Sequence, residues 1–65
     1  MVIGYKVKWE ELAGVQGITT REKMFETKQQ AKRFVESLDT ILRIWGFRCY
    51  EDGQVPIRVD YRVQH

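Results

Sequence analysis

Six side chains in this 65-residue chain have the types and spacing to hold an anionic polymer: Lys6, Lys8, Arg48, Tyr50, Arg58 and Arg62. Lysine and arginine neutralise phosphates and release condensed counterions, arginine also reaches base edges, and a tyrosine ring stacks on an unpaired base. Bond-making chemistry has no comparable set. The one histidine, His65, is the last residue, and the one cysteine, Cys49, falls in an apolar alternation, as a small core residue would. The paired carboxylates are sequence neighbours, Glu10-Glu11 and Glu51-Asp52. Neighbours on a strand point apart, and in a loop they are solvated. Gly14-x-x-Gly17 is not followed by the Lys-Ser/Thr of a phosphate loop. A zinc ligand set or an internal disulfide needs more than one Cys and one His. The expectation is a non-enzyme with no cofactor and no metal.

The bulk numbers set the frame. With 43% hydrophobic residues, eight aromatics and one proline, the chain has the composition of a packed globule. Residues 1–65 make one domain, and a chain this short buries only about 60% of its unfolded surface. Eleven Lys and Arg against nine Asp and Glu leave +2, so the distribution of charge matters more than its sum. The amino end lacks a basic segment followed by a long apolar run, no stretch approaches a membrane span, and the single thiol suits a reducing compartment. A cytoplasmic protein that does not enter a membrane is expected.

The elements that must position the six residues follow from periodicity. Residues 3–9 alternate, with Ile3, Tyr5, Val7 and Trp9 on one side and Gly4, Lys6 and Lys8 on the other. Residues 10–18, broken by Gly14 and Gly17, read as a loop whose Leu12, Val15 and Ile18 fold back onto the body. Residues 19–26 read as a second strand. Thr27 is a natural N-cap, and Gln30 completes a capping-box spacing. The helix runs from about Lys28 to about Leu42, its stripe made of Ala31, Phe34, Val35, Leu38, Ile41 and Leu42, with a last turn weakened by Asp39 and Thr40. Lys32 and Arg33 fall on its solvated side.

The last 23 residues read as a hairpin. Residues 43–50 form the third strand. The fourth alternates from Val55 through Ile57, Val59, Tyr61 and Val63, with Arg58, Asp60, Arg62 and Gln64 between. A three-residue loop of Glu51, Asp52 and Gly53 would set Cys49 opposite Val55, Phe47 opposite Ile57 and Trp45 opposite Val59, making every inward pair apolar. The predicted fold is α+β: a ββαββ domain with one helix on one face of a mainly antiparallel sheet. Its open face would carry Lys6, Lys8, Arg48, Tyr50, Arg58 and Arg62, with Asp60 the one acid.

The stretch 24–34 resembles the amino-terminal arm-binding domains of phage and transposon tyrosine recombinases, in which a phrase Phe-x-Thr-Lys-x-x-Ala-x-x-Phe leads from strand to helix. Phe25, Thr27, Lys28, Ala31 and Phe34 match it. The resemblance covers about eleven residues and implies DNA contact through the sheet and a phage or mobile-element origin. The long first loop, a second hairpin after the helix and the lack of a recombinase catalytic domain are departures from it. The expected function is a small DNA- or RNA-binding module. The alternative is a protein-binding module, such as a small phage inhibitor of a host protein or an edge-strand homodimer.

Overall fold

A computed structural model describes residues 1–38 and 41–59 of the chain. Four strands and one helix follow in the order β1 (Val2–Leu12), β2 (Ile18–Phe25), α1 (Lys28–Ser37), β3 (Arg43–Tyr50) and β4 (Gly53–Ile57), with a short 3-10 turn at Gly14–Gln16 between β1 and β2. All strand pairs are antiparallel, and the sheet order is β2-β1-β3-β4. This is the ββαββ arrangement expected from the sequence. β1 lies beside β3, so its lysines occupy the middle of the sheet.

The β-to-α junction is made locally. Thr27 Oγ1 accepts from the Gln30 N–H at 3.1 Å, and Gln30 Oε1 accepts from the Thr27 N–H at 3.3 Å, closing the capping box. Ala31 and Val35 point from α1 into the core, where they meet Val7, Trp9 and Val59, with Tyr5, Phe25, Phe34, Leu38, Ile41, Ile44 and Ile57 packed around them. Phe34 meets Trp9 edge-on at 5.0 Å between centroids and Phe25 at 5.1 Å. The helix ends at Ser37, five residues short of Leu42, where Leu38 turns extended and its N–H bonds back to the Val35 carbonyl. Asp39 and Thr40, the poor helix formers, lie outside the described residues. Leu42 instead lies just before β3, donating its N–H to the Glu10 carbonyl at 2.9 Å.

Three further expectations are corrected. Ile3 is exposed, because a register shift between Val2 and Gly4 against β3 removes it from the alternation. β1 and β2 run on to pair Leu12 with Ile18, so the first loop is a short connection at the end of a long hairpin. Leu12, Val15 and Ile18 do not fold back onto the body. They stand exposed at the hairpin end, Val15 completely so.

The largest correction concerns β3. The turn between β3 and β4 is Glu51-Asp52, and Gly53 is the first residue of β4, opposite Tyr50. Gly46 therefore pairs with Ile57, Phe47 with Pro56, Arg48 with Val55 and Cys49 with Gln54. Ile44, Gly46 and Arg48 share the helix side with Trp9, Val7 and Tyr5, whereas Trp45 and Phe47 share the open side with Lys8 and Lys6. The expectation that Trp45 and Phe47 point inward fails for lack of space. The ten-residue helix packs on β1 and β2, and Phe34, Phe25 and Trp9 already fill that layer. Over β3 the layer is Val59, which lies on the bare backbone of Gly46. A Cβ built at Gly46 would come within 2.4 and 2.7 Å of the Val59 methyls. Gly46→Ala is thus expected to destabilise the fold by about 1–3 kcal/mol through overpacking against a stiff β-branched side chain. Urea unfolding checks this, and an unchanged midpoint would show that Val59 does not pack on Gly46.

Candidate functional site

The open face of the sheet is laid out in rows by the strand registers. One row across β2-β1-β3-β4 reads Met24, Lys6, Phe47, Pro56, and the next reads Glu22, Lys8, Trp45. A third row holds Thr20, Glu10 and Arg43, the last two an ion pair at 3.9 Å. Arg58, one residue past the end of β4, borders a 360 Å³ cleft beside β3 and β4, lined by Trp45, Phe47 and Pro56 and also by Ile44, Gly46, Ile57 and Val59 of the helix side. Neither ring enters the buried core cluster: Trp45 is 36% exposed and Phe47 is half-buried. Each carries a lysine. Lys6 Nζ lies 5.2 Å from the Phe47 ring centroid and Lys8 Nζ 5.8 Å from that of Trp45. Ammonium groups at that distance are held by the ring quadrupole.

The six residues expected at one site are divided. Lys6 and Lys8 are together on the open face, and Arg58 borders the cleft that Trp45 and Phe47 share with residues of the helix side. Arg48 and Tyr50 are on the helix side of the sheet, because the β3–β4 register is one residue away from the expected one. There the Arg48 guanidinium stands 5.9 Å over the Tyr5 ring, and hydrogen bonds with Tyr50 and then Tyr5 push its pKa further above the ordinary arginine value. Arg62 and Asp60 lie outside the described residues, as do Tyr61, Val63 and His65. Cys49 is buried, between Gly4 and Gln54 rather than opposite Val55.

Glu10 and Glu22 also join the open face, Glu10 because β1 continues past Trp9 and Glu22 because it pairs with Lys8. The face is therefore less cationic and more aromatic than the sequence implied. Trp45 and Phe47 are the residues the sequence reading missed as site residues. Their signal was present in the alternation Trp45, Phe47, Cys49 beside the basic Lys6 and Lys8, but it read equally well as a core face.

The edges of the sheet are poor templates for a further strand. Pro56, the fourth of the five residues of β4, has no amide hydrogen, and β2 carries Arg21, Glu22 and Lys23 in succession. No group of three or more metal-ligating side chains occurs among the described residues. No helix among them is long and apolar enough to cross a membrane. No family model, curated protein or solved structure matches the chain.

Proposed function

We propose that this protein is a small nucleic-acid-binding module that works through the open face of its sheet. Lys6, Lys8 and Arg58 meet phosphates there, and Trp45 and Phe47 meet bases. The observation that carries this reading is the pairing of two lysines with an exposed tryptophan and a half-buried phenylalanine on the sheet face opposite the helix. Magnitudes favour exchange on binding. An exposed cation–π contact contributes about 0.5–1 kcal/mol. A base stacked on an aromatic ring contributes about 1–3 kcal/mol. The base displaces the ammonium, and the freed ammonium moves to the neighbouring phosphate. The resemblance of residues 24–34 to recombinase arm-binding domains supports the same use of the sheet, and with it a phage or mobile-element origin.

Fluorescence anisotropy with labelled DNA and RNA at low and physiological salt tests the reading. With Lys6, Lys8 and Arg58 each neutralising a phosphate, log affinity should fall with log salt at a slope of about −2 on single strands. No binding at low salt, or binding indifferent to salt, would overturn it. A second reading, a protein-binding module, draws on the exposed Leu12, Val15 and Ile18 at the hairpin end. An edge-strand homodimer has less support, given Pro56 in β4 and the charges of β2.

A further inference from the structure

We infer that the open face takes two consecutive unpaired nucleotides, one base on Trp45 and the next on Phe47, and so selects single strands over duplexes. This rests on the nucleic-acid reading above and adds the form of the ligand. Trp45 and Phe47 are alternate residues of β3, so they leave the same face about 6.8 Å apart along the strand. Stacked nucleotides rise about 3.4 Å. The ring spacing is twice the stacked rise, so a helical strand cannot set successive bases on both rings. A strand whose bases are splayed apart can.

The cations repeat in the same step. Lys6 is the direct register partner of Phe47, and Lys8 that of Trp45. The surface is thus a ring with an ammonium, then a ring with an ammonium, which matches a base with its phosphate repeated once. A duplex keeps its base faces stacked inside and can offer this surface only phosphates. The lysines therefore serve either form of nucleic acid, and the rings serve the single strand alone.

The test uses the whole protein with a labelled oligothymidine, an oligouridine and a duplex of equal length. Trp45→Leu and Phe47→Leu should each lower affinity for the single strands by about 5- to 150-fold and leave duplex affinity within about twofold. Lys6→Gln should weaken both forms alike. Neither ring belongs to the buried core cluster, so leucine at either position keeps that cluster whole. The wild type supplies an arm that needs no variant. Oligothymidine should quench the exposed Trp45 while leaving Trp9, 6% exposed, emitting, and duplex should quench neither. Equal losses on single strands and duplex, or no loss in the ring variants while the wild type still binds, would overturn the two-base register and leave the nucleic-acid reading standing. A wild type that binds neither form at low salt would overturn both. Different affinities for the two oligonucleotides, with the ring dependence intact, would support the register and show a preference between thymidine and uridine strands.

Discussion

Trp9→Ala should lower the melting temperature by at least about 12 °C and leave the chain partly unfolded at 25 °C. The indole is 6% exposed in the central strand. Its ring holds the edge contact with Phe34, and its N–H donates to Glu11 Oε1 at 2.7 Å. Glu11 in turn pairs with Arg21 at 3.4 Å, so the ring fixes the hairpin as well as the helix. Replacing a buried tryptophan by alanine costs about 3–5 kcal/mol. A domain of this size has roughly 3–10 kcal/mol in total. At about 4 °C or more per kcal/mol, the lower figure already gives the stated shift. Val15→Ser, at a fully exposed position, is the matched control and should change stability by less than about 0.5 kcal/mol. Thermal unfolding followed by circular dichroism decides the matter. A Trp9→Ala midpoint within a few degrees of wild type would mean that the helix is not held by this ring.

The contrast between Trp9 and Trp45 shows how much of this fold was legible in the sequence. Local features were. The Thr27–Gln30 box spans three residues and needs no tertiary information, and the alternation Tyr5, Val7, Trp9 correctly marks the helix side of β1. The face of β3 was not legible, since Ile44-Trp45-Gly46-Phe47 is apolar in both phases and offers no period to read. What decides the phase is the area of the helix layer and the seat of Val59 on Gly46, two residues thirteen positions apart. A criterion of maximal apolar pairing chooses the wrong register because it assumes that the core has room for every large ring. The same holds for Leu12, Val15 and Ile18, whose hydrophobicity says nothing about the length of the strands that carry them outward. Of the basic site, Lys6 and Lys8 were legible from β1 alone. Arg48 was misassigned with the rest of β3.

That division makes the lysines of β1 the residues on which the functional reading stands or falls. The double variant Lys6→Glu with Lys8→Glu should reduce nucleic-acid affinity by more than about 100-fold, since placing like charges against phosphates costs several kcal/mol. On the open face, counting Arg58 with it, Lys6, Lys8, Arg43 and Arg58 now outweigh Glu10 and Glu22. After the double reversal two cations would face four carboxylates, and the surface would repel the polymer it is proposed to hold. Both lysines lie outside the buried core cluster, so the fold should persist. The main penalty is a like-charge pair with Glu22, opposite Lys8, worth up to about 1 kcal/mol. Lys6→Gln with Lys8→Gln avoids that penalty. It should lose affinity less steeply, and its salt slope should flatten by about 1.4, or 0.7 for each phosphate contact removed. The two variants together separate charge from fold: a slope that flattens with glutamine and binding that vanishes with glutamate place the phosphates over β1. Undiminished binding in the glutamate variant would exclude that face. A protein partner seated on the hairpin end at Leu12, Val15 and Ile18 would not depend on the charges of Lys6 and Lys8, and its capture by the double variant would turn the functional reading toward the hairpin.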